Sequence, residues 1–459
     1  MILYRLFQPL LVACFGFIAT LLKHTPGLRE KSEKLWRTWD IRKIEGVPAY
    51  RKLDLSLLKG QRPVWIHAAS GEFEYAKPVI RELQKKHPET PILVTYFSPT
   101  YAENVRKFPG VTLSCPLPLD SSGDIRHFLD TLKPQALLIA RTDAWPNTVR
   151  LTHQRAIPVL LFSATFHEQS RRMGYFSRSL TQATFAQIDT IQCVSPEDKA
   201  TLESLGLHNV EVAGDTRYDQ VLARLQSPRP PTTVAMMAAL KESIHPRALI
   251  AGSVWSEDLD PIIHASATTM DTALHTLVLV PHEISESFLS EIEAKCLKHG
   301  FKKSKITRFS RLSRGDHPLD VVIVDSVGML AELYLLGDIA FVGGSFRKTV
   351  HSVMEPLAAG CLTLVGPLHT NNREAIEFQS IGPSGATLSK QSASPLSYVT
   401  AADNASEMAL SLSRLWQATG GPNGGTLKSH IQREVAKRGG ATAHVMRWID
   451  SHIKKMRGF

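Results

Sequence analysis

Residues 65–78 read WIHAASGEFEYAKP, an apolar strand that runs into a turn of small residues and then into a helix start. Glu72 sits in that turn beside Gly71 and just after Ser70. A carboxylate at the carboxyl end of a parallel strand, next to a helix start, lies where open α/β sheets place their ligands. Glu72 is therefore the candidate catalytic base, with a simple helix-start residue as the equal alternative.

The pattern continues outward from this stretch. Apolar strand-like pieces recur at 64–68, 92–96, 136–140, 159–163, 190–194 and 210–213, with amphipathic helical stretches such as 76–86 and 124–132 between them. Alternation of this kind predicts a parallel, doubly wound sheet. Residues 227–233, SPRPPTT, then break the pattern and read as a linker, taken as 227–235. A second series follows, with strands expected at 248–251, 276–280, 321–324, 339–342 and 362–365, and a terminal helix at 426–453. The fold class is α/β, with two doubly wound, Rossmann-like domains, 46–226 and 236–459, that face each other across a cleft and are preceded by a segment of residues 1–45.

That first segment has its own character. Residues 6–22 are apolar and uncharged, at the short edge of what crosses a hydrocarbon core, and Lys23, Arg29, Lys31, Lys34, Arg37, Arg42 and Lys43 follow. Such a basic follow-up keeps the downstream chain in the cytoplasm and makes the segment an uncleaved anchor or an interfacial helix. Two rivals remain open: a helix buried against the first domain, and a lipoprotein processing box at Leu11-Val12-Ala13-Cys14.

The net charge of +10 over 459 residues points to an anionic partner, with a solvated basic surface as the equal alternative. The basic residues are dispersed rather than gathered into an arginine-rich arm, which argues against nucleic acid. Five cysteines without a CxxC pair or a Cys/His cluster predict neither a disulfide framework nor a zinc site.

Candidate ligand turns recur in the second half. Gly252-Ser253 follows one strand and precedes Glu257 and Asp258, and Gly343-Gly344-Ser345 follows another, with Arg347 and Lys348 beyond it. Glycine lets backbone approach a ligand, and the free N–H groups of a helix start favour phosphate, although any βα turn looks similar and Gly252-Ser253 taken alone is more often an ordinary one. In HSVMEPLAAG, residues 351–360, Pro356 fits the first helical position and puts Glu355 at the N-cap edge, suited to ribose hydroxyls or to capping its own helix. Pro281-His282 offers a ring for a base or phosphate, although a lone histidine in such a turn is more often a capping or surface residue, and Asn371 with Arg373 follows another strand end.

Together these pieces resemble the Kdo transferases, which add 3-deoxy-D-manno-octulosonic acid from CMP-Kdo to lipid A. The series includes HAASGE (67–72), TYFSPT (95–100), PLPLD (116–120), WPN (145–147), GDTRYD (214–219), AGSVW (251–255), VGGS (342–345), Glu355-Pro356, and Gly366 to Glu374. The resemblance implies a GT-B type glycosyltransferase that inverts the anomeric centre, with Glu72 as general base and Ser70 and Gly71 shaping its turn. It also implies CMP contacts at Ser253, at Gly328, Met329 and Leu330, at the VGGS turn and at Glu355. The implied partners are CMP-Kdo, a lipid A precursor and the anionic cytoplasmic face of the inner membrane, with no cofactor and no metal. Departures from the family pattern lie in Ser70 abutting Gly71, which makes Glu74 a second candidate base, and in Arg141-Thr142-Asp143-Ala144, which lacks the first of two acids. Ser352 and Met329 replace an asparagine and a glutamate. Altered acceptor preference, reduced activity, a non-catalytic envelope protein and a transferase for another sugar nucleotide are the readings these changes leave open.

Overall fold

A computed structural model describes residues 2–44, 47–166, 170, 172, 174–312, 318–383, 396–420 and 424–456. The chain divides into two compact units, Met1–Gln220 with Arg438–Phe459, and Val221–Lys437. In the first, seven strands form one sheet: β1 (Val64–His67), β2 (Ile92–Tyr96), β3 (Leu113–Pro116), β4 (Ala136–Ala140), β5 (Val159–Ala164), β6 (Thr190–Cys193) and β7 (Val210–Val212). They lie in the order β3-β2-β1-β4-β5-β6-β7, and every pair is parallel. The chain builds from β1 toward one edge and then returns to build the other from β4. A crevice therefore opens outside the carboxyl ends of these two strands.

The second unit repeats the plan with β8 (Ala248–Val254), β9 (Thr276–Pro281), β10 (Ile306–Arg308), β11 (Val321–Ile323), β12 (Ile339–Val342), β13 (Leu362–Val365) and β14 (Val399–Ala401). The order is β10-β11-β9-β8-β12-β13-β14, again all parallel, with the switch point between β8 and β12. Strands such as β4, ALLIA, are buried along their whole length because helices cover both sheet faces.

Differences from the sequence reading have local causes. Strands β3, β10 and β14 are short and part polar, so they carry no periodic signal. Pro231 opens a helix, Pro231–Ser243, where its missing N–H costs nothing, so only 227–230 of the expected linker lie outside helices. The expected terminal helix is two helices, Gly424–Ala436 and Ala441–Met456, parted at Gly440, whose φ is +104°. Asp219 accepts the N–H groups of Gly440 and Thr442 at 2.5 and 2.6 Å. Val445, Met446, Trp448 and Ile449 share one core with Ile66, Val79, Ile80 and Leu138. The last helix thus belongs with the first unit, although the sequence reading runs the second domain to residue 459.

At the amino end, α1 (Ile2–His24) and α2 (Glu33–Asp40) pack together. Trp39 lies against Gly16, where a Cβ would approach its ring within 2.5 Å, and Lys23 pairs with Asp40 at 2.5 Å. Among the described residues no helix is long and apolar enough to cross a membrane. Gln8, Gly16 and Thr20 dilute the apolar run. Phe7, Leu10, Leu11, Phe17, Ile18 and Leu21 remain exposed at helical spacing on α1.

One buried histidine makes stability pH-dependent. His275 Nδ1–H donates to the Ala273 carbonyl at 2.6 Å, so Nε2 accepts the Ser266 hydroxyl at 2.8 Å. Burial pushes its pKa down to about 4. The unfolded chain takes up that proton near pH 6.5, so stability falls as pH drops from about 6.5 toward about 4. Between pH 7 and pH 5, wild type is expected to lose about 2 kcal/mol more than His275→Gln in urea unfolding, and equal losses would refute the assignment.

Candidate functional site

The turn after β1 is pinned from a neighbouring strand. The Ala69 carbonyl accepts the N–H groups of Phe97 and Ser98, both at 2.8 Å, which gives the TYFSPT segment a structural task. Phe73 N–H and Glu74 N–H bond back to Ser70 and Gly71, so the chain enters α3 (Phe73–Lys86) in a tight first turn. The shortened Ser70-Gly71-Glu72 sequence still closes. Glu72 curls back to accept Ser70 N–H on Oε2 at 2.9 Å, and Oε1 receives no hydrogen bond from a described residue. Glu72 is half-buried. Glu74 Oε1 is tied to the Lys77 ammonium at 2.5 Å, whereas the bond that Glu72 accepts comes from a neutral backbone N–H.

A relay runs beneath this turn. Trp65 Nε1–H donates to Thr95 Oγ1 at 2.8 Å, Thr95 meets His67 Nδ1 at 2.9 Å, and His67 Nε2 meets Asp143 at 2.9 Å. Trp145 Nε1–H adds a bond to the same carboxylate at 3.1 Å. Desolvation pushes the Asp143 carboxyl up, but the bonds from His67 and Trp145 and the charge of Arg172 outweigh it and hold the group below the usual range. Asp143 lines a cavity of about 210 Å³ with Tyr4, Trp145, Arg172 and Thr181. The second acid of the motif is therefore held in place, while Arg141 occupies the site of the first. Arg141 and Arg217 both stand over the Tyr75 ring, at 5.8 and 4.5 Å. Asp120 of PLPLD caps the WPN helix, accepting Asn147 N–H at 2.8 Å and Thr148 N–H and hydroxyl at 2.7 Å, and Tyr4 of α1 adds its hydroxyl at 2.8 Å.

Backbone strain gathers at the same strand ends. Arg141, Ser163 and Ser253 have φ of +68°, +51° and +55°, in the left-handed region that side chains avoid. Ser163 is held by Thr216 of GDTRYD, whose N–H donates to Ser163 Oγ at 3.1 Å.

In the second unit, Ser253 sits at a register shift in β8 between Gly252 and Val254. A Cβ on Gly343 would come within 2.3 Å of the Ser253 carbonyl oxygen, so the two strand-end turns are in backbone contact. Gly343→Ala is expected to destabilise by about 2–4 kcal/mol, read as a fall in thermal midpoint; an unchanged midpoint would contradict this contact. The VGGS turn does not offer all its N–H groups to phosphate. Gly343 N–H goes to the Gly252 carbonyl at 2.9 Å, and Gly344 and Phe346 donate to Asp258 at 2.7 and 3.2 Å. Ser345 is buried and its Oγ accepts Gly366 N–H at 2.7 Å.

The remaining candidates separate into exposed and committed groups. His282 is exposed after buried Pro281, Gly328 is exposed with φ +89°, Leu330 is half-buried and Met329 is buried. Helix Met354–Ala359 begins two residues before Pro356, so Glu355 lies inside the first turn rather than at its edge, and it pairs with Arg224 at 3.1 Å. Asn371 bonds Thr349, whereas Asn372 caps the helix Arg373–Gln379 and donates to the His351 carbonyl at 3.0 Å. Sequence reasoning underrated Asp258, Trp255, His351 and Asn372. The available signal was Asp258 three residues after Trp255, the spacing of a helix-entry carboxylate. Among the described residues no group of three His, Cys, Asp or Glu side chains is placed to hold a metal ion.

Two doubly wound units, one presenting a poised carboxylate and the other glycine-lined strand ends, define the GT-B class of fold. Residues 42–220 match the family model described as 3-deoxy-D-manno-octulosonic-acid transferase (kdotransferase). The 3-deoxy-D-manno-octulosonic acid transferase of Aquifex aeolicus is 28% identical over 70% of this chain and 81% of its own length. That of Bordetella pertussis is 29% identical over 68% of this chain and 72% of its own. Over residues 42–220 and against these relatives, the chain is similar to Kdo transferases. A solved UDP-GlcNAc 2-epimerase from Neisseria meningitidis is similar with a TM-score of 0.59 and 14% identity over 85% of this chain and 100% of its own, a likeness of fold alone.

Proposed function

We propose that this protein transfers Kdo from CMP-Kdo to a hydroxyl of a lipid A precursor. The family match over residues 42–220 carries this reading, because that span includes the turn that holds Glu72. Glu72 Oε1 takes the proton of the acceptor hydroxyl, whose oxygen forms the new bond to the anomeric carbon. The bond from that carbon to the CMP phosphate oxygen breaks on the opposite face, and CMP leaves with the electron pair. Ser253, His282, Gly328, Leu330 and the helix starts around them would hold the donor and its departing phosphate, and nothing in this scheme calls for a metal. The exposed apolar face of α1, followed by Lys23, Arg29, Lys31, Lys34 and Arg37, fits an interfacial helix on the anionic cytoplasmic face of the inner membrane.

Incubation with CMP-Kdo and a lipid A precursor, followed by mass analysis of the lipid, tests the reading. A mass increase of one or more Kdo units is expected. An unchanged lipid, under conditions where a control transferase works, would reject it.

A further inference from the structure

Three rings and a guanidinium group meet at the carboxyl ends of β8, β9 and β12. Trp255 Nε1–H donates to His351 Nε2 at 3.0 Å. Their planes lie within 17° and their centroids 6.5 Å apart, so the two rings are joined edge to edge. His282 stacks on both, 4.3 Å from Trp255 and 4.5 Å from His351, and the Arg347 guanidinium stands 3.8 Å from the Trp255 ring.

The hydrogen bond fixes chemistry as well as position. An indole N–H can only donate, so His351 Nε2 must accept and the ring's proton is confined to Nδ1. A Cβ on Gly344 would meet His351 Cδ2 and Nε2 at 3.2 and 3.3 Å, so the Nδ1 edge faces away from the glycine turn. No described residue accepts the Nδ1–H. The loop that carries the ring is stiff: Asp258 holds Gly344 and Phe346, and Asn372 holds the His351 carbonyl.

We propose that His351, fixed by Trp255 as the Nδ1–H tautomer, donates that hydrogen to an anionic oxygen of the donor nucleotide's phosphate. This rests on the reading that the second unit takes a CMP-linked sugar. A neutral donor gives a directed bond whose strength does not vary across physiological pH. Burial and then the neighbouring His282 push the His351 pKa down to about 4, which agrees with a ring kept neutral. The charged and titratable groups on the elements around it include His282, Glu283, Arg347, Lys348, Glu257, Asp258, Asp260, His264, Glu355, Arg373, Glu374 and Glu377.

Two measurements on the full chain test this. Nitrogen-15 NMR of the wild type should show His351 neutral and protonated on Nδ1 from pH 8 to pH 5, and Trp255→Phe should raise its titration midpoint by at least about one pH unit. A wild-type ring protonated on Nε2, or an unshifted midpoint in Trp255→Phe, would overturn the tautomer lock. Calorimetric titration with CMP then separates two amides. His351→Asn places its amide nitrogen near the Nδ1 position and should keep affinity within about threefold. His351→Gln reaches the Nε2 position, keeps a partner for Trp255, and should lose about tenfold. Equal affinities for the two variants would overturn the phosphate contact while leaving the donor reading intact. Failure of the folded wild type to bind CMP at all would reject the donor reading, and this contact with it.

Discussion

Glu72→Gln is expected to lower transfer by about 100- to 10,000-fold, the usual range for removing a positioned general base. The substitution preserves shape and the amide oxygen can still accept Ser70 N–H, so the turn should stay closed and the thermal midpoint should move little. Glu74→Gln provides the contrast. Its Oε1 pairs with Lys77 in a part-buried ion pair three residues along the same helix, and the expected change in turnover is within about threefold, because such a pair contributes little. Product formation followed by mass at saturating donor distinguishes the two. Full turnover by Glu72→Gln would remove it as base, and a collapse confined to Glu74→Gln would transfer the role there.

The largest stability effect is expected at Asp120. Its carboxylate is buried and receives two backbone N–H groups and the hydroxyls of Thr148 and Tyr4. Asp120→Ala leaves these donors without an acceptor in a place water does not reach, at a cost of about 3–5 kcal/mol. A fall of about 10 °C in the thermal midpoint follows for a unit of this size. Tyr4→Phe removes only one of the four bonds and should cost about 1 kcal/mol. Similar midpoints for wild type and Asp120→Ala would show that the carboxylate does not anchor the WPN helix.

Much of the fold was legible because parallel strands covered on both faces must be continuously apolar, as in ALLIA and TLVLVP. The strands that escaped notice are those where polar residues or proline interrupt that rule, such as LSCP. The place of Glu72 was legible as well, since an acid in a small-residue turn between a strand and a helix is conspicuous. What sequence alone left hidden are long-range pairings. Nothing in PLPLD says that Asp120 bonds residues 147 and 148, and nothing in AGSVW says that its tryptophan meets a histidine 96 positions later. Glycine turns were read as open N–H cradles because spacing cannot tell that Asp258 already occupies Gly344 and Phe346. Length, apolarity and basic flanks left an anchor and an interfacial helix equally open for residues 6–22, and the small and polar positions in the middle of the 23-residue helix explain why it is not long and apolar enough to cross a membrane.

The cap that Asp219 places on the last helix has a consequence for how the protein is made. The first unit is written in two pieces, with the whole of the second between them. During synthesis its sheet emerges first, but the helix bearing Val445, Met446, Trp448 and Ile449 leaves the ribosome only after more than two hundred further residues. Until then the core around Ile66, Val79 and Leu138 lacks the side that this helix covers. The second unit, contiguous in sequence, can close before the first is complete, and the nascent chain spends that interval with its earliest surface open to chaperones.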